Sequence, residues 1–275
     1  MPRRAGSNPP TSGYRRQNRA SWDRWARSYE RRHATALARA GGAAWGLWRI
    51  PEHRVRLLDP LGGKDVLELG CGAGWWSIAL ARQGARVVGL DFSPARLDQA
   101  RVLGAAARAR VTWVSAPAEQ LPFPDARFDV VLSDYGATTF ADPRRWISEV
   151  GRVLRPGGSF VFAHASPFRS LAEDLRRDRL EPRLLRPYFG LHVLRDRDCT
   201  EFQLPYGEWI ERFASAGLSV ERLVERPAPP GTTTSYVGPE DLGWARRWPM
   251  ESIWKLRKGE RSDGHPPRRA RARDR

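Results

Sequence analysis

Asp65-Val-Leu-Glu-Leu-Gly-Cys-Gly-Ala-Gly74 runs directly into Trp75-Trp-Ser-Ile-Ala-Leu-Ala-Arg82, and the fold is decided there. Asp65 to Leu69 alternates apolar residues and reads as a short buried strand. Gly70, Gly72 and Gly74 form a tight turn, in which glycine permits positive φ and lets a ligand approach where a Cβ would collide. Trp75 to Arg82 opens a helix. A second strand, Ala85 to Leu90, ends at Asp91, whose carboxylate suits the two hydroxyls of an unphosphorylated ribose. The pattern predicts a nucleoside-binding α/β sheet.

The dinucleotide turn is G-x-G-x-x-G, with a helix N-terminus aimed at a pyrophosphate. Here the third glycine comes one residue early, and Glu68 stands two residues before the first. A carboxylate repels a pyrophosphate but suits a ligand that carries an ammonium group. S-adenosyl-L-methionine has an amino-acid end, a sulfonium and a ribose without phosphate. With Glu68, Gly70, Gly72, Gly74 and Asp91 in this order, the chain resembles the class I S-adenosylmethionine-dependent methyltransferases, whose first motif is E-x-G-x-G-x-G. Two further runs carry the resemblance. Ala116 to Asp129 is similar to G-D-A-E-x-L-P-F-x-D-x-x-F-D, with Pro117 at the acidic position, and Glu149 to Gly158 matches the family's segment around Arg-Pro-Gly-Gly.

The resemblance implies a Rossmann-like, doubly wound seven-stranded sheet, mostly parallel, of order 3-2-1-4-5-7-6 with helices on both faces. It points to the small-molecule branch that includes ubiquinone and menaquinone biosynthesis enzymes. The positions it implies for the cofactor are Glu68, Gly70, Cys71 and Gly72 in the turn, then Asp91 and Phe92. Ala118 and Glu119 fall at the adenine edge. Ser133, Asp134 and Tyr135 end the fourth strand, where ligands of open α/β sheets sit. The i, i+3, i+4, i+7 face of Trp22, Trp25, Ala26 and Tyr29 predicts a helix over Arg19–Ala40, which in the family covers the cofactor and brings Tyr29 to its methionine end.

The remaining strands are expected at Val111–Val114, Phe128–Leu132, Ser159–His164, Leu218–Glu225 and Ser252–Leu256, with Arg155-Pro-Gly-Gly158 ending the helix before the fifth. His164, at the end of that strand, is the candidate general base. Residues 1–18 read as a disordered basic arm, 19–258 as the methyltransferase domain with an N-terminal helical cover over 19–60, and 259–275 as a basic tail. Residues 166–206 break the sheet pattern and read as an inserted lid or substrate element.

Net charge is +16 over 275 residues. The first 20 residues carry five Arg and no acid, and the last 15 carry six Arg against two Asp, so about +7 remains for the body. The basic ends raise an RNA methyltransferase as the alternative. No Asn/Asp-Pro-Pro-aromatic run follows the fourth strand, which argues against base-amino methylation. A cofactor-binding protein of this fold without transferase activity is a third reading. Two cysteines, Cys71 and Cys199, are too few for a disulfide framework or a zinc site, so no metal is expected. No apolar run long enough to span a membrane and no secretory leader is read, which makes a cytoplasmic protein with a small-molecule acceptor the default. The acceptor and the oligomeric state leave no motif.

Overall fold

The computed structural model describes residues 11–260. Seven strands build one sheet: β1 (Asp65–Leu69), β2 (Arg86–Asp91), β3 (Val111–Ser115), β4 (Phe128–Asp134), β5 (Leu154–Ala165), β6 (Leu218–Val224) and β7 (Glu251–Lys258). Their spatial order is β6-β7-β5-β4-β1-β2-β3, the 3-2-1-4-5-7-6 order expected, with β7 alone antiparallel to both neighbours. β1 lies between β2 and β4, parallel to each, so its C-terminal end sits at the switch in strand order.

Alternation along the strands feeds two cores. Leu67, Leu69, Phe160 and Phe162 pack on one face with Trp146, Trp209 and Phe213. Val66, Val130, Leu132 and Val161 pack on the other with Trp76 and Leu80. The helices are α1 (Thr11–Leu37), α2 (Trp75–Arg82), α3 (Pro94–Ala106), α4 (Gly136–Phe140), α5 (Pro143–Val153), α6 (Pro167–Ala172) and α7 (Tyr206–Ser215). Three start on a capping side chain followed by proline: Ser93 accepts from Arg96 N, Asp142 from Arg144 N and Ser166 from Arg169 N.

Three expectations are corrected. The cover helix begins at Thr11, so residues 11–18 are not a disordered arm. Tyr14 is buried edge-on against Phe202, and the buried Asn18 amide exchanges two hydrogen bonds of 2.8 Å with the Thr200 backbone. A few docked residues order a stretch that is otherwise Arg-rich and polar. Residues 1–10 and 261–275, which hold the rest of the expected arm and most of the tail, lie outside the described residues.

Second, Arg155-Pro-Gly-Gly158 does not end a helix but belongs to β5, whose first residue, Leu154, pairs with Phe128. A Cβ at Gly158 would stand 2.9 Å from the Asp129 carbonyl, so the bulge there needs glycine. Third, residues 166–206 hold α6 and two small ribbons rather than one loop. The ribbon Val193–Arg195/Thr200–Phe202 is clamped to α1 through Asn18 and through Ser21, whose hydroxyl donates to Asp198 O at 2.5 Å.

Candidate active site

A cavity opens beyond the C-terminal ends of β1, β2 and β4. Its wall includes Tyr29, Glu68, Gly70, Cys71, Gly72, Asp91, Phe92, Ala118, Glu119, Asp134 and Tyr135. Eleven of the twelve positions expected to face the cofactor therefore meet in one place. The exception is Ser133, which is fully buried and donates to Leu69 O at 2.6 Å, tying β4 to β1.

The glycine turn is built differently from the expectation. A Cβ on Gly70 would lie 2.0 Å from Ala137 N, and one on Gly74 would lie 2.4 Å from the Trp113 ring. Those two glycines serve the close packing of the turn on α4 and on β3. Gly72 lines the cavity beside Gly70, and the nearest atom to its added Cβ is the guanidinium of Arg96 at 2.8 Å.

Three carboxylates line one side, with Glu68 and Asp91 buried and Asp134 half-buried. Glu68 Oε2 accepts from Ser77 N at 2.7 Å and from Ser77 Oγ at 2.5 Å, which fixes α2 on β1. Burial pushes its acid up to about 8, further raised by Asp134 and Asp91. Asp91 spreads its two oxygens over Gly72 N (2.8 Å) and Ser93 N (2.9 Å), and burial raises it as well. Asp134 accepts from Gly46 N at 2.9 Å and from Arg49 Nη1 at 2.7 Å.

Arg49 was missed in the sequence, where it sits in an undistinguished stretch before the first strand. Its backbone is left-handed (φ 47°) and its side chain is 3% exposed. Nε and Nη2 are buried without a partner among the described residues. Unpaired buried guanidinium donors are costly, and an anionic ligand group removes that cost.

The opposite side is closed by α1. Tyr14 donates to Glu119 Oε1, and Arg15 lies 3.5 Å from the same oxygen. Asp23 accepts from the Ser93 hydroxyl at 2.6 Å, and Glu30 accepts from Trp75 Nε1 at 2.9 Å. Arg96 is buried beneath the rings of Trp22 and Tyr29, 5.9 and 5.1 Å from their centroids. Trp22 packs edge-on against Phe140 at 5.1 Å, and both line the cavity with Leu37, Leu47 and Tyr236. No residue of 166–206 reaches this wall, so the cover expected of that segment falls to α1 and Tyr236.

Tyr135 carries φ 62° and ψ −45°, a strained backbone worth about 1–3 kcal/mol, at the turn from β4 into α4. The turn swings its ring toward Glu251, whose Oε2 accepts from Tyr135 Oη at 3.0 Å and from Leu47 N at 2.7 Å. Burial raises Glu251 to about 7, and its Oε1 has no partner among the described residues. Glu251 too was missed, because it opens a strand far along the chain. His164 is not at the cavity. It is buried beside Trp209, its Nδ1 lies 2.8 Å from Ala165 O, and burial lowers it to about 4. A side chain one residue short of the strand end points away from the crevice. Cys71 is buried, and its thiol is pushed well above the usual range by burial, which removes it as a nucleophile.

Residues 67–162 match the family described as "Methyltransferase domain". Over this segment the chain is similar to methyltransferases. A demethylmenaquinone methyltransferase of Clavibacter sepedonicus is 37% identical over 144 residues, 51% of this chain and 58% of that protein. A phthiotriol/phenolphthiotriol dimycocerosates methyltransferase of Mycobacterium tuberculosis is 40% identical over 169 residues, 56% of this chain and 60% of the relative. The chain thus spans about three fifths of the length of these two relatives. Among solved structures, an S-adenosylmethionine-dependent methyltransferase from Mesorhizobium loti aligns with TM-score 0.61 at 23% identity, over 74% of this chain and 94% of that one. The 1,6-didemethyltoxoflavin-N1-methyltransferase of Burkholderia thailandensis, solved with 1,6-didemethyltoxoflavin and S-adenosylhomocysteine, aligns with TM-score 0.59 at 16% identity, over 93% of each chain. Both alignments show the fold alone.

The cavity's donor set fits S-adenosylmethionine. It offers buried carboxylates for a cation and for ribose hydroxyls, and orphaned guanidinium N–H groups for a carboxylate. Its walls are aromatic. Among the described residues no helix is long and apolar enough to cross a membrane.

Proposed function

We propose that the chain transfers a methyl group from S-adenosylmethionine to a small, largely apolar acceptor. The reading rests above all on the single cavity that joins Glu68, Asp91 and Asp134 to the unpaired N–H groups of Arg49. When bound, the cofactor supplies an electrophilic methyl on a sulfonium. Glu68 and Asp134 take the ammonium, Arg49 the carboxylate, Asp91 the ribose hydroxyls, and Ala118 and Glu119 the adenine edge. The Arg96 guanidinium, held under Trp22 and Tyr29, packs over Gly72 and keeps that face dry.

Holding acceptor and methyl in line accounts for most of the rate, because positioning lowers such barriers by about 7–11 kcal/mol. Trp22, Phe140, Leu37, Leu47 and Tyr236 form the apolar face that seats the acceptor and excludes water. An acceptor that arrives as a hydroxyl passes its proton to Tyr135 Oη while the Tyr135 proton moves to Glu251. The tyrosine stays neutral, as its raised pKa requires. The relatives' names supply the first acceptors to try: demethylmenaquinone and phthiotriol dimycocerosates.

The test is transfer of labelled methyl from S-adenosylmethionine into those acceptors and into a lipid and metabolite extract. A labelled, extractable product formed by the wild type and not by Asp91→Ala supports the reading. Cofactor binding with no label transferred to any acceptor pool supports a binding protein of the same fold instead.

A further inference from the structure

A second cavity, of about 610 Å³, shares Arg49 with the first. Its wall contains Arg39, Arg49, Arg54 and Arg226, together with Trp48 and the prolines Pro51, Pro227 and Pro229, and no acidic residue. Ligand cavities commonly span about 300–1,000 Å³, so the space is ample for a small anionic group.

Four arginines around one cavity give it a positive potential; Arg49 is buried, and Arg39, Arg54 and Arg226 are exposed. Among the described residues Arg39, Arg54 and Arg226 form no ion pair with an acid. The acids nearest them in sequence are engaged by other groups: Glu52 accepts from Leu57 N (2.8 Å) and Leu58 N (2.7 Å), and Glu225 accepts from Ser252 Oγ (2.9 Å) and from Tyr206. One buried wall residue is short of an acceptor as well: Trp48 Nε1 has none among the described residues. Arg49 lines both cavities, with Nη1 on Asp134 in the first. Prolines offer no backbone N–H but give rigid walls, which leaves recognition to the arginine forks.

We propose that this cavity is a second ligand site, which takes a phosphate-bearing group and shares Arg49 with the cofactor pocket. Planar guanidinium forks match phosphate oxygens bidentately, and several of them lining one space select a phosphate over chloride. The site stands independently of methyl transfer, since its signature is binding alone.

The test is calorimetric titration of the full chain with inorganic pyrophosphate at constant ionic strength, beside sedimentation with phosphatidylglycerol vesicles and with neutral phosphatidylcholine vesicles. The variants are Arg54→Ala/Arg226→Ala and, as a charge-matched control, Arg246→Ala/Arg247→Ala, with Arg39→Gln as a milder probe should the first double variant lose its circular-dichroism signal. The expected result is one saturable site for pyrophosphate, weakened about tenfold or more by Arg54→Ala/Arg226→Ala and unmoved by the control. The same variant pattern with phosphatidylglycerol vesicles identifies a lipid headgroup as the source, and its confinement to pyrophosphate identifies a soluble phosphate. Absence of saturable binding to either probe overturns the proposal, as does equal weakening by both double variants, which marks a mere net-charge effect.

Discussion

Tyr135 Oη donates to Glu251 Oε2 at 3.0 Å, joining a strained residue at the end of β4 to the first residue of β7, 116 positions later. The pair lines up a neutral hydroxyl in the cavity wall with a carboxyl raised to about 7 behind it. For a hydroxyl acceptor, kcat is expected to rise with pH through about 7 as Glu251 ionises. Glu251→Gln keeps an acceptor for Leu47 N but loses the base. It should lower kcat by about 10²–10⁴-fold, abolish that rise and leave KM nearly unchanged. A variant with an intact pH–rate limb contradicts the relay.

Glu68 is held protonated at neutral pH by burial, its acid raised to about 8. An ammonium placed beside it favours the carboxylate and drives the proton off. Cofactor binding at pH 7 should therefore release up to one proton, declining to none above pH 9. Calorimetry in two buffers of different ionisation enthalpy measures this, and identical heats in both count against Glu68 as the ammonium partner.

The first two turns of α1 close the cavity through Tyr14 and Glu119. Removing residues 1–10 should leave cofactor affinity unchanged, whereas removing residues 1–18 should weaken it by about tenfold or more, because the Asn18 and Tyr14 anchors go together. Equal affinities for the two truncations, by calorimetry, would show that the helix end is dispensable.

Gly70 faces the backbone of Ala137, and a Cβ there would stand 2.0 Å from its nitrogen. Gly70→Ala should cost about 2 kcal/mol or more in urea unfolding, since backbone cannot give way as a side chain can and φ is positive. At Gly72, where φ is also positive, the obstacle is the end of the Arg96 side chain rather than backbone, so Gly72→Ala should cost less stability but more cofactor affinity. Reversal of that order would contradict the packing described for the turn.

His164 is buried and lowered to about 4, against an ordinary value near 6.5. The folded state therefore takes up its proton less readily than the unfolded chain. The stability linked to it is complete above about pH 6.5 and is lost as pH falls from there toward 4. Between pH 7.5 and 4.5, His164→Gln should lose about 2–3 kcal/mol less in urea unfolding than the wild type, with kcat/KM at pH 7.5 within a few-fold of it. A collapse of kcat in a stable His164→Gln protein would return this residue to the chemistry.

Sheet order, the glycine turn and the carboxylate side of the cavity were legible in the sequence because they lie on contiguous motifs. Glu68, Gly70, Cys71, Gly72, Asp91 and Phe92 are fixed by one β–turn–α–β unit, and local spacing determines where they point. What stayed hidden depends on pairing across the chain. Arg49 acquires meaning only when Asp134 receives it, and Glu251 only when the turn at Tyr135 swings a hydroxyl onto it. His164 misled because strand periodicity gives a face only once the register is known, and the bulge between Phe128 and Val130 shifts the register of β5. Residues 11–18 looked unstructured by composition, and a docking surface 180 residues away makes them helical.

The most direct test of the central claim is calorimetric titration of the full chain with S-adenosylmethionine and with S-adenosylhomocysteine, using Asp91→Ala as control. One site of about micromolar affinity, near −8 kcal/mol, is expected, lost in Asp91→Ala while the circular-dichroism spectrum is preserved. A folded wild-type protein that binds neither compound, or an Asp91→Ala variant that binds as tightly as the wild type, would contradict it.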